Sequence, residues 1–108
     1  MTADGFRKLA LSMPGAVEAA HMGHPDFRAN GRIFATLWHD MQWGMVKLTP
    51  ELQREFIAEN PKMFVPVNGA WGAEGATRVH LRHADEETLG RAMTEAFKRT
   101  SIKKPRNK

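Results

Sequence analysis

"HPDFRANGRIFATLWHD", residues 24–40, sets Asn30-Gly31 between two runs rich in apolar and aromatic residues. Asn-Gly tolerates the positive φ angles of a two-residue type I′ turn, so the stretch predicts a hairpin with strands over 26–29 and 32–38. Around such a turn Ala29 pairs with Arg32, Arg28 with Ile33 and Phe27 with Phe34. Alternation sends Arg28 and Arg32 to opposite faces of the ribbon, where they cannot easily follow one phosphate track. Phe27, Ile33, Phe34 and Leu37 read as core. The hairpin is scaffold first.

Upstream, Phe6, Leu9, Ala10 and Met13 recur at helical spacing, with Thr2 or Asp4 as N-cap and Pro14-Gly15 as the stop. Residues 16–24 carry no clear signal. Downstream, "QWGMVKL" (42–48) alternates Gly44, Val46 and Leu48 against Trp43, Met45 and Lys47, a third strand after a turn near Asp40. Thr49-Pro50-Glu51 starts a helix: threonine caps, proline fills the first turn, and glutamate meets the positive dipole end. It carries Leu52, Phe56 and Ile57 inward and ends at Asn60-Pro61. Residues 63–67 read as a short strand that Pro66 pushes to an edge. A glycine-rich loop, "NGAWGAEGA", leads to "TRVHLR" (77–82), another alternating strand. Asp85 caps a last helix whose apolar face is Leu89, Ala92, Met93, Ala96 and Phe97.

The order α-β-β-β-α-β-β-α predicts an α+β fold of two layers, an antiparallel sheet with helices mainly on one face. One domain spans 1–97. Residues 98–108 hold the end of the last helix and a basic, disordered tail.

The chain has 108 residues, 42% hydrophobic and 26% charged, the balance of a soluble globular domain. No apolar run reaches the length of about 18 residues needed to span a membrane, and Arg7 and Lys8 interrupt any signal-peptide core. The absence of cysteine excludes disulfides, thiolate zinc sites and thiol nucleophiles, and makes a reducing cytoplasm the expected compartment. The net charge is +4, but six of the 16 basic residues lie in 98–108. Residues 1–97 hold ten basic against twelve acidic residues, a net of −2. The basicity belongs to the tail.

"HPDFRANGRIFATL" resembles the proline–phenylalanine–arginine hairpin of the MmcQ/YjbR family of small bacterial proteins. "VNGAWGAEGATRVHL" resembles that family's tryptophan–glycine loop and the strand after it, and the closing helix fits too. The likeness covers about residues 5–98. It implies an α+β fold in the order read above, a cytoplasmic location and a small monomer or weak homodimer. Family members often carry a DNA-binding label taken from fold analogy, and the resemblance brings no catalytic or binding residues with it.

The residues themselves offer one functional patch. With Val79 and Leu81 facing the helices, Arg78, His80 and Arg82 project from the opposite sheet face, where Trp43 and Lys47 join them. Basic groups beside a ring suit a single-strand reader, with charge on phosphates and a ring under a base. Lys103, Lys104 and Arg106 in the tail would add sequence-independent attraction. Trp71 could lid a ligand pocket beside the glycine loop. His21 and His24, two positions short of Asp26, do not complete a metal cluster, and His80 and His83 would sit on opposite faces of a strand. Neither a metal nor a cofactor is expected. Ser12 and Ser101 have no evident base and orienting acid. The reading is a non-enzymatic protein with weak affinity for DNA or single-stranded nucleic acid. Its alternative is an adaptor for a protein or small ligand, using the open sheet face and Trp71.

Overall fold

Asn30 and Gly31 have φ angles of 53° and 75°, the two left-handed residues that a type I′ turn requires. The computed structural model describes residues 1–21, 23–38 and 40–101, with His21 described by its backbone alone. The turn joins β2 (His24–Ala29) to β3 (Arg32–Leu37). Around them run α1 (Ala3–Leu11), β1 (Val17–His21), β4 (Trp43–Lys47), α2 (Pro50–Glu59), β5 (Phe64–Pro66), α3 (Ala70–Ala73), β6 (Ala76–His80) and α4 (Glu86–Thr100). The expected order stands. Two short elements join it: β1 in the stretch without clear signal, and the single turn of α3 inside the glycine loop. The strands form one antiparallel sheet in the order β1-β2-β3-β4-β6-β5, which puts Pro66 on an edge strand as expected.

Caps explain the helix starts. Thr2, Thr49 and Asp85 accept hydrogen bonds from the backbone N–H groups of Gly5, Leu52 and Thr88. The Thr88 donors hold the Asp85 carboxyl below its ordinary pKa.

The hairpin register differs from the expected one. Ala29 pairs with Arg32 and Arg28 with Ile33, but Phe27 pairs with Ala35 instead of Phe34. A bulge places one extra residue on β3, so Phe34 and Ala35 both turn into the core, each fully buried. Ile33 is displaced from that core and is half-buried. Pairing of β3 with β4 runs only from Ala35–Val46 to Leu37–Gly44. Beyond the bulge the hairpin tip has no β4 partner. A hydrogen bond of 3.0 Å from Asn30 Nδ2 to Thr100 Oγ1 pins it to the end of α4 instead.

The core gathers Phe27, Phe34, Leu37 and Val79 from the inner sheet face, Phe6 from α1, Leu81 from the chain beyond β6, and Leu89 and Met93 from α4. Phe97 packs against its margin and meets Phe34 edge-on at 6.0 Å. Gly44 leaves β4 bare where Phe6 lies on it; a Cβ there would stand 2.5 Å from the ring. None of the described helices is long and apolar enough to cross a membrane.

β6 is shorter than expected. It stops at His80, and Leu81–His83 form a 3-10 turn that buries Leu81 in the core. Arg82 is therefore exposed on the turn, off the sheet.

Candidate functional site

Strand alternation puts Trp43, Met45 and Lys47 of β4 and Arg78 and His80 of β6 on the outer sheet face. The register sets Trp43 opposite His80 and Met45 opposite Arg78. Trp38 joins from the end of β3, its N–H donating to the Trp43 carbonyl at 3.0 Å. The His80 ring stacks on Trp43 with centroids 4.2 Å apart and planes 5° from parallel. The Arg78 guanidinium lies over Trp43 at 5.2 Å and over Trp38 at 5.9 Å. Its Nε is buried without a hydrogen-bond partner among the described residues. The two indoles take the place of a carboxylate.

His83 corrects a second expectation. Because the chain leaves the strand after His80, the two histidines share one side and meet edge-on at 4.8 Å. Burial lowers the His80 pKa from its ordinary 6.5, and the neighbouring charges of His83 and Arg82 push the same way. At neutral pH His80 is a flat neutral ring, not a cation. The outer face is thus aromatic around one embedded arginine, with Lys47 exposed at the far end of β4.

The basic groups collect elsewhere. Where the hairpin tip leaves β4, a cavity of about 740 Å³ opens, lined by Arg28, Arg32, Lys47 and Arg99 together with Ile33 and Thr100. Arg28 and Arg32, expected on opposite faces of the ribbon, both line this one cavity beside the hairpin tip. Arg28 is oriented by the buried Asp26, which accepts from its Nε at 2.8 Å and its Nη2 at 3.1 Å. That bond raises the Arg28 pKa further above its ordinary value. Arg99 donates from Nη1 to the Leu48 carbonyl at 3.1 Å. Lys47 is exposed and has no partner among the described residues.

A smaller cavity of about 200 Å³ shares Lys47 and Arg99 and adds Met45, Trp71 and Glu74. Trp71, in α3, is 71% exposed. Gln53 of α2 fixes that turn by donating to the carbonyls of Gly72 at 3.0 Å and Ala76 at 2.9 Å. On the helix side a groove is lined instead by carboxylates, Glu55, Glu59, Glu86, Glu87 and Glu95 among them. Charge is therefore sorted by side.

Of the residues singled out from sequence, Arg78 and His80 share the outer face, and Lys47 bridges the two cavities. Trp71 stands at the rim, and Arg82 is separate. Lys103, Lys104 and Arg106 lie outside the described residues, as does the His21 side chain. Sequence reasoning missed Trp38 as part of the face and Arg28, Arg32 and Arg99 as a cluster. The Asn-Gly turn, which fixes where the two hairpin arginines stand, was the signal closest to it.

A small α+β sheet-and-helix protein with an aromatic outer face is the class defined here. The YjbR family model matches residues 11–99, and the chain belongs to the YjbR family. The crystal structure of the Deinococcus radiodurans protein DR2400, with a DUF419 family-model domain, is similar in fold at a TM-score of 0.73. The two sequences are 19% identical over 89% of this chain and 75% of that one. No curated protein matches the chain.

Proposed function

We propose that this protein is a non-enzymatic, cytoplasmic module that binds single-stranded nucleic acid weakly through its outer sheet face. The observation that carries the reading is the stack of Trp38, Arg78, Trp43 and His80. Partly exposed rings offer planes for unpaired bases, while Arg78 brings a positive charge to the same surface. A duplex keeps its bases stacked on one another and gains little from such a face. The tail residues Lys103, Lys104 and Arg106 supply attraction that ignores sequence and weakens with salt.

Indole fluorescence, titrated with single-stranded and duplex oligonucleotides of one sequence at two salt concentrations, tests the reading. Single strands should quench and bind more tightly. Trp43→Ala should lower that affinity about tenfold, since stacking one base on a ring is worth about 1–3 kcal/mol. Equal or tighter duplex binding would sink it. A second reading, an adaptor surface, draws on the exposure of Trp71. It gains if no oligonucleotide binds at low salt.

A further inference from the structure

The cavity between the hairpin tip and α4 concentrates four cations, Arg28, Arg32, Lys47 and Arg99. The buried Asp26 has both carboxylate oxygens engaged by Arg28. A cavity lined by cations favours the entry of an anion. The groups are also held in place. Asp26 orients Arg28, the Leu48 carbonyl orients Arg99, and the Asn30–Thr100 bond keeps the tip against the helix. Preorganised guanidinium forks beside an ammonium suit an oxyanion with several acceptor oxygens, and a phosphate above all.

The adjoining cavity narrows the ligand further. It shares Lys47 and Arg99, so a group attached to the phosphate there has Trp71 in the adjoining lining. Trp71 offers an indole for stacking, Met45 an apolar floor, and Glu74 an acceptor for an amino or hydroxyl group. A charged compartment opening into an aromatic one matches a phosphate joined to a sugar and a base. We propose that these two cavities together form a binding site for a nucleoside 5′-phosphate, with the phosphate among Arg28, Arg32, Lys47 and Arg99 and the base against Trp71. The site adjoins the outer face through Met45 and Lys47 but is not lined by Trp38, Trp43, Arg78 or His80, and it does not depend on the reading of their stack. The same chemistry comes from two sources, a free nucleotide or the phosphorylated 5′ end of a strand.

Backbone amide shifts in nuclear magnetic resonance spectra of the full chain, titrated with adenosine 5′-monophosphate, inorganic phosphate and adenosine, provide the test. The monophosphate should bind most tightly, inorganic phosphate more weakly and adenosine least, with shifts centred on residues 28–33, 47 and 99. Arg99→Gln and Lys47→Gln should each lower monophosphate affinity about tenfold, the usual worth of one charge-assisted hydrogen bond. Trp71→Ala should bring the monophosphate down to the level of inorganic phosphate. Circular dichroism melts of each variant check that the fold survives.

Trp43→Ala, which removes the outer-face stack, should leave monophosphate binding unchanged, so failure of either reading shows without the other. A 5′-phosphorylated trinucleotide binding more tightly than its 5′-hydroxyl form and than the free nucleotide identifies a strand end as the source. The reverse order identifies a free nucleotide. Equal binding of monophosphate and inorganic phosphate by the parent protein would overturn the base site. No shift at the four cations with either phosphate would overturn the proposal.

Discussion

The outer face and the basic cavity both use arginine, in opposite ways. On the face, Arg78 lies over two indoles, and His80, its pKa lowered by burial, stacks on Trp43. In the cavity, Arg28, Arg32, Lys47 and Arg99 converge from the hairpin, β4 and α4. The first arrangement stabilises the fold with no ligand present. In the second, Lys47 has no partner among the described residues to offset its charge. Removing Arg78 from the face and Lys47 from the cavity should therefore have opposite consequences.

The largest expected effect falls on the residue that separates the two regions. Phe34 is the bulge residue turned into the core, and Phe34→Ala should cost about 3–5 kcal/mol, lowering the melting temperature by about 12 °C or more. Urea unfolding measures it directly. A midpoint matching that of the parent would put Phe34 outside the core and the bulge elsewhere.

Next comes Arg78→Ala, which removes two cation–π contacts and should destabilise by about 1–2 kcal/mol. The orphaned Nε makes the outcome sharp. If the variant is as stable as the parent, the burial cost of that atom cancels the rings and the face is not self-stabilised.

Smaller, and of opposite sign, is Lys47→Gln. Relief of like-charge repulsion in the cavity should raise the melting temperature slightly, and the gain should shrink as salt screens the cluster. A loss of stability at low salt would mean that Lys47 has a stabilising partner and that the contrast between the regions is false.

The smallest effect belongs to His80. Its folded pKa lies below 6.5, so the unfolded chain binds the proton more readily. The neutral ring's contribution is intact above pH 6.5 and declines as the pH falls through that value towards the folded pKa. His80→Gln should flatten the stability curve in that window, as read by urea midpoints at half-unit steps. A parallel curve would show that the stack does not disfavour the charged ring.

How much of this was legible in sequence depends on range. The Asn30-Gly31 turn, the Thr49 and Asp85 caps and the edge position of β5 rest on residues within a few positions of one another, and each reads correctly. The bulge does not. Ile33, Phe34 and Ala35 are all apolar, so the alternation loses its phase where the register slips, and tertiary packing in the core selects Phe34. β1 was silent because "VEAAH" has a single β-branched residue, and pairing with β2 forms it. The outer face was partly legible, since Trp43, Lys47, Arg78 and His80 keep strict alternation on their strands. The cavity was not, because its cations meet only after the hairpin is pinned to a helix seventy positions away.

That pin also sets an order of assembly. During synthesis the hairpin tip emerges seventy residues before Thr100, an interval on the order of several seconds at ribosomal rates. For that time the hairpin has its turn and its neighbour strands available but nothing to hold its tip. Arg99 arrives with the same helix, so the walls close and the charges converge in one late step. A nascent chain halted before α4 would display the hairpin without the cavity, and the cationic wall is complete only when the rest of the core is there to hold it.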